Sequence, residues 1–198
     1  TMNYLAHLYL SGENPQCMVG GLLGDFIKGP LKGELPSNIE TGIQLHRQID
    51  VFTDRQPEVQ NAIERFLPPY RRFAGILLDI CYDHLLAANW SQYHNSELDD
   101  FCQDFYRTLT NYHNILPAGA KRFCEVAPRV NWLQNYARFA ELETMLERIG
   151  QRFRNPVPLH EAFPLLEQQY PLLEQEFHQL FPRLIEFSVK QRLESNQL

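Results

Sequence analysis

Apolar positions recur along this chain at helical spacing, and short alternating runs rich in valine or isoleucine are absent. Phe73–Leu86, FAGILLDICYDHLL, is almost wholly apolar. It reads as one buried helix, expected to run from about Tyr70 to Asn89 or Trp90. Upstream, Met2–Leu10 places Leu5, Leu8 and Tyr9 on one helical face, with His7 set among them. Pro15 opens a second apolar segment over Gln16–Ile27. The glycines and prolines of Lys28–Pro36 then read as a loop. A helix starts at Ser37, with Ser37 and Glu40 as a capping box, and turns Ile39, Ile43, Leu45, Ile49 and Phe52 inward. Thr53 or Asp54 is expected to cap the next helix, which begins near Pro57 and ends by Pro68-Pro69.

The second half continues in the same period. Ser96 is expected to cap a helix from Glu97 to about Ile115. Pro117 begins a shorter one ending near Pro128. Trp132–Ile149 reads as one amphipathic helix stopped by Gly150. After an Arg-rich loop (Arg152, Arg154, Asn155, Pro156, Pro158), two more helical patterns run to the end, punctuated by Pro171 and Pro182. No repeat, low-complexity tract or long linker divides the chain. The expected fold is all-α, a single compact helical bundle over residues 1–198. Residues 2–94 carry the chemically interesting motifs, and 95–198 are read as supporting helices.

Composition narrows the class without changing the fold. A chain of 198 residues is long enough for one real core. Apolar content of 44% and charged content of 21% are ordinary for a globular protein. No apolar run approaches the roughly 20 residues that cross a bilayer. The N-terminus lacks a basic stretch followed by an apolar core and a cleavage site. Thr1 reads as an addition ahead of a natural start at Met2. Cys17, Cys81, Cys102 and Cys124 show no metal-ligand spacing and read as reduced core thiols, so a cytoplasmic location is expected. A net charge of −6 argues against a general nucleic-acid binder.

The polar residues set into apolar helices carry the chemistry. A carboxylate in an apolar interior is costly unless it is paired or binds a metal. Asp79 and Asp83 lie four apart on one helical face, and His84 points about 100° further round. Asp25 is the only charge in its apolar run. His46 and Asp50 are also four apart, a spacing that lets one helix present two ligands to one ion. Several helices each offering His or Asp to a common interior is how bundles build metal sites. Mixed imidazole and carboxylate donors suit Mn²⁺, Fe²⁺, Mg²⁺ or Zn²⁺. Such an ion activates water and neutralises phosphate charge, and Lys28, Arg47, Arg71 and Arg72 are cations suited to phosphate oxygens. Plainer readings stay open: carboxylates held by an arginine or by backbone donors, a surface His46–Asp50 pair, and His7 as a hydrogen-bonded core residue. His94, His113, His160 and His178 read as ordinary solvated histidines.

Four segments, MNYLAHLYLS, GGLLGDFIKG, GIQLHRQIDVFTD and LLDICYDHLLAANW, together resemble the acyl carrier protein phosphodiesterase (acyl carrier protein hydrolase) family. The resemblance is strongest in the N-terminal half and extends more loosely through the C-terminal helices. It implies an HD-domain-like helical fold, distantly related to the HD phosphohydrolases. It implies a phosphodiesterase dependent on a divalent metal, Mn²⁺ favoured, with Mg²⁺ or Fe²⁺ as alternatives. The implied reaction releases 4′-phosphopantetheine from the serine of holo-acyl carrier protein and leaves the apo form. By position, the resemblance carries metal ligation to Asp25, His46, Asp50, Asp79, Asp83 and His84. It makes Asp25 the essential catalytic carboxylate, and either His84 or His7 is the candidate to protonate the leaving serine. The usual His-Asp dipeptide of HD enzymes is absent, and Asp83-His84 reverses it. The partner, an acidic carrier protein, would dock on Lys28, Lys32, Arg55, Arg65, Arg71 and Arg72. Two other functions remain: a phosphohydrolase acting on a nucleotide or other small phosphoester, and a non-catalytic helical binding protein whose His and Asp residues form a structural network.

Overall fold

The computed structural model describes residues 3–195; Met2 and residues 196–198 of the expected terminal helices lie outside them. The helices are α1 (Tyr4–Leu10), α2 (Pro15–Leu23), α3 (Ser37–Asp54), α4 (Pro57–Arg65), α5 (Ala74–Ala88), α6 (Trp90–Tyr93), α7 (Leu98–Asn111), α8 (Ala118–Val126), α9 (Glu141–Gly150) and α10 (Phe163–Ser195). Short 3-10 turns precede α5, α8, α9 and α10. Among the described residues there is no strand, and the chain is all-α.

Helix α5 is the centre of the packing. Eleven of its fifteen residues are buried, and it meets α1, α4, α9 and α10. Its Asp83 is fully buried and accepts the backbone N–H groups of Leu5 and Ala6, each at 2.8 Å. Those amides open α1 and have no partner within the helix. The carboxyl therefore fastens the first turn of α1 onto α5. Burial pushes this carboxyl up to about 8, against the two N–H donors, which act in the other direction.

Glycines set the distance between α2 and α3. A Cβ on Gly20 would lie 2.2 Å from the Ile39 carbonyl oxygen, and one on Gly42 would lie 2.3 Å from that of Cys17. The two helices thus touch backbone to backbone, which only glycine permits. Gly21 lies against the end of α1, where a Cβ would meet the side-chain Oγ of Ser11 at 2.3 Å. Three helices from the N-terminal 54 residues converge here, and their polar residues are brought within reach of one another.

Several local expectations are corrected. Ser37 is the first residue of α3 rather than its cap, and the Glu40 carboxylate instead accepts the loop amides of Gly33 and Leu35 at 3.3 Å. Asn14 caps α2 through its side chain, accepting from Gln16 and Cys17. Thr53 and Asp54 remain inside α3, and Gln56 precedes α4. Ser96 Oγ turns to His94 Nδ1 at 2.9 Å rather than capping α7. Helix α2 stops at Leu23, so Asp25 lies in a turn. Trp132–Ile149 is broken into a 3-10 turn at Gln134–Ala137 and α9. His84 Nδ1 donates to the Tyr136 carbonyl at 2.7 Å, which removes that acceptor from a continuous helix.

Pro171 and Pro182 do not divide the C-terminus. Helix α10 runs through both for 33 residues. An interior proline loses one helical hydrogen bond and costs roughly 3 kcal/mol. Against that, α10 buries Leu166, Leu173, Phe177, Leu180, Phe181 and Leu184 across α1, α3, α4, α5 and α9. All four cysteines are free and buried. Among the described residues, no helix is long and apolar enough to cross a membrane.

Candidate metal centre

His7 of α1 and His46 and Asp50 of α3 meet where the three N-terminal helices converge. One donor atom from each lies within 4.8 Å of the others, so the group can hold a metal ion. The two imidazoles are stacked, 3.6 Å between centroids and 17° from parallel. His7 Nε2 lies 3.1 Å from Asp50 Oδ1, and His46 Nε2 lies 3.4 Å from Asp50 Oδ2. Both rings are almost wholly buried, while Asp50 is 22% exposed.

The tautomer of His46 follows from its other nitrogen. Nδ1 is 2.7 Å from the Gly21 carbonyl oxygen, which accepts only a proton-bearing nitrogen. The neutral ring then turns the Nε2 lone pair toward the Asp50 carboxylate and toward Asp25 Oδ1, 3.8 Å away. Lone pairs and negative charge converge on one point, a donor set suited to a cation. Orientation of a ligand imidazole by a carbonyl on its far nitrogen is the usual support for a bound metal. His7 Nδ1 is buried with no hydrogen-bond partner among the described residues.

The electrostatics keep the donors in ligand form. Burial lowers the pKa of His7, and the neighbouring His46 lowers it further, against the raising effect of Asp50. A neutral imidazole is the form that binds a metal. Burial works to raise the Asp50 carboxyl, but the two imidazoles beside it win and hold it well below the usual carboxylate range.

Asp25 enters from the turn after α2 and is 38% exposed, the most open member of the group. Two cations brace this turn. Lys28 Nζ donates to the Gly24 carbonyl at 3.2 Å, and Arg47 donates to that of Ile27 at 2.9 Å. Gly24 lies against His46: a Cβ there would be 2.2 Å from the ring's Cγ.

The other expected site residues lie elsewhere. Asp83 spends both carboxylate oxygens on the α1 amides. His84 spends Nδ1 on the Tyr136 carbonyl, and its Nε2 faces the Tyr170 hydroxyl at 3.0 Å. Asp79 is half-buried on α5, where it, Glu176 and Arg65 act on the phenol of Tyr82. Arg71 and Arg72 are exposed ahead of α5, with the Arg72 guanidinium over the Phe73 ring at 4.5 Å. Arg65 is engaged by Glu176 through two hydrogen bonds of 2.7 and 2.6 Å.

A model of the acyl carrier protein phosphodiesterase family matches residues 2–184, the span holding all four residues of the centre. The chain belongs to that family. Its enzyme class is accordingly phosphodiesterase. A protein of Yersinia pestis named acyl carrier protein phosphodiesterase is 34% identical over 185 residues, 93% of this chain and 96% of its own length. A Klebsiella pneumoniae protein of the same name is 32% identical over 196 residues, 97% of this chain and 100% of its own. One from Escherichia coli O6:H1 is 34% identical over 197 residues, with the same coverage. No solved structure matches the chain.

Proposed function

We propose that this chain hydrolyses the phosphodiester between 4′-phosphopantetheine and the serine of holo-acyl carrier protein, with a divalent cation, Mn²⁺ favoured, held by His7, His46 and Asp50. The observation that carries the reading is the convergence of His46 Nε2, Asp50 and Asp25 on one point, with Gly21 fixing the His46 tautomer. The names of the relatives supply the substrate. Asp79, Asp83 and His84 are left out of the proposed ligand set because they are not among the donors that lie within 4.8 Å of one another, and Asp83 and His84 are engaged by the α1 amides, the Tyr136 carbonyl and the Tyr170 hydroxyl.

When bound, the cation polarises a phosphoryl oxygen and makes water acidic enough to attack at neutral pH. The protein does the rest. Gly21 and His7 hold the His46 ring in one orientation. Asp50 fixes both imidazoles from one carboxylate. Asp25, at the open side, takes the proton of the attacking water on a carboxylate oxygen. It then returns that proton to the leaving serine oxygen, so water adds as P–OH and Ser–OH. Lys28 and Arg47 hold the turn that carries Asp25 and keep two cations beside the phosphate.

Intact-mass spectrometry of holo-acyl carrier protein tests this directly. Conversion to the apo mass is expected with Mn²⁺ and not with EDTA, and Asp25→Asn should lose turnover while keeping the helical circular-dichroism signal. A folded, Mn²⁺-loaded protein that leaves the holo mass unchanged contradicts the reading. Turnover of nucleotides by that same sample would support the small-phosphoester alternative.

A further inference from the structure

An aromatic slot beside the centre is unused by the roles above. Tyr4 lies three residues before His7 on α1, and Phe26 directly follows Asp25. Their rings are parallel, 6.3 Å apart. A hollow of about 420 Å³ runs past both to Trp132 and Arg152. It shares Tyr4, Trp132 and Arg152 with a second hollow of about 310 Å³, walled by Met145 and Ile149 over Ile80 and Tyr136. Ile80 and Tyr136 are buried, so the slot has a floor. The Arg152 guanidinium lies over the Trp132 ring at 5.7 Å. Phe26 lines the first hollow and is the chain neighbour of Asp25, so this end of the slot opens beside the exposed side of the centre.

We infer that this slot takes the pantetheine arm of the substrate as a single extended chain, an inference that rests on the phosphodiesterase reading above. A phosphodiester at the centre carries a folded protein on one side and a thin flexible chain on the other. A folded protein cannot enter a floored slot between side chains, whereas a single chain can. The exposed wall is mostly apolar and aromatic, and Asn3, Asn135, Glu141, Thr144, Arg148 and Arg152 add polar groups. That mixture suits an arm of methyl and methylene segments interrupted by amides, and the volume is in the range of small-molecule sites. The arm's distal end points toward Met145 and Ile149, so an acyl group on its thiol extends the same way. The carrier protein stays outside, on the Asp25 side.

Met145→Trp fills the slot without touching the centre. Three readouts separate the claims: saturation-transfer NMR of free pantetheine with the protein in EDTA, hydrolysis of holo-acyl carrier protein with Mn²⁺, and hydrolysis of bis(4-nitrophenyl) phosphate with Mn²⁺. Wild type is expected to give pantetheine signals that the variant loses. The variant's kcat/KM on holo-carrier should fall by about tenfold or more, with the small phosphodiester hydrolysed as before. Met145→Phe gives the same direction if the larger residue prevents folding. Unchanged pantetheine signals, or unchanged holo-carrier hydrolysis in a folded variant, would overturn the inference alone. Wild type that cleaves the small phosphodiester but not the holo-carrier would overturn the substrate reading and this inference with it.

Discussion

Gly24→Ala isolates the role of the His46 ring. Gly24 has φ −54° and ψ −30°, ordinary right-handed values, so alanine meets no backbone strain. In that conformation the change lowers the entropy of the unfolded chain, a gain of roughly 0.4–1 kcal/mol. The added Cβ, however, would lie 2.2, 2.4 and 2.6 Å from Cγ, Cδ2 and Nδ1 of His46. Non-bonded carbons rest at roughly 3.5–4.0 Å, so the ring must retreat by about 1 Å or more. Two contacts oppose the retreat: the 2.7 Å hydrogen bond to Gly21 and the 3.6 Å stack on His7. Overpacking of this kind costs about 1–3 kcal/mol. A metal ligand moved off its line costs about 10–100-fold in affinity, the range seen when the support of a ligand imidazole is lost. Titration calorimetry with Mn²⁺ measures the affinity, and urea unfolding in EDTA measures the cost to the metal-free fold. Gly75→Ala is the control, because a Cβ there meets nothing within 4 Å. It is expected to leave Mn²⁺ affinity alone and to stabilise slightly. Gly24→Ala with wild-type affinity would refute the assignment of His46 as a ligand.

Other outcomes follow from the same contacts. Asp83→Ala strands two buried amides, each costing about 1–3 kcal/mol, so urea unfolding should show a loss of about 2–6 kcal/mol; a loss below 1 kcal/mol would mean that α1 is held by other contacts. The Asp83 carboxyl, pushed up to about 8 by burial, keeps a proton in the folded chain that the unfolded chain has released above about pH 4. Its contribution is therefore full below pH 4 and fades as pH rises toward 8, by at most about 1.4 kcal/mol per pH unit. Wild type should lose stability relative to Asp83→Asn as pH rises across that window, and a wild type that gains on the variant would refute the sign. Mn²⁺ at about a hundred times its Kd should stabilise the fold by roughly 2.7 kcal/mol, read as a higher Tm that EDTA reverses. In His46→Ala that shift should vanish, and its persistence would place the ion elsewhere.

How much could be read from the chain varies with the kind of information. Helix α3 shows its own chemistry: His46 and Asp50 are four apart, and the structure puts both on one donor set with His7, with Asp25 3.8 Å from His46. His7 is harder to read, because one histidine in an apolar helix looks the same whether it fills core or faces Asp50. The Gly20, Gly21 and Gly24 pattern hints at close approach, but only the fold shows that Gly20 meets Gly42 and that Gly24 meets His46. Asp83 illustrates the opposite difficulty. A buried carboxylate advertises a partner without naming it, and here the partners are amides 77 and 78 residues away. His84 breaks the expected Trp132 helix by taking the Tyr136 carbonyl, again across a separation no local pattern contains. The prolines of α10 mislead for a related reason. Their local cost is visible in the sequence, whereas the packing stripe that outweighs it exists only once α1, α3, α4, α5 and α9 are in place. The slot between α1 and α9 draws on residues about 140 positions apart and leaves no spacing signal.

The ion that drives hydrolysis is expected to rest among His7, His46 and Asp50. Crystals grown with Mn²⁺, measured for anomalous scattering at the manganese edge, would locate it. One peak bonded to His46 Nε2 and the Asp50 carboxylate, with Asp25 beside it, is the predicted result. A peak on Asp79, Asp83 or His84 instead, in crystals of protein that converts holo-carrier to apo-carrier, would contradict the account.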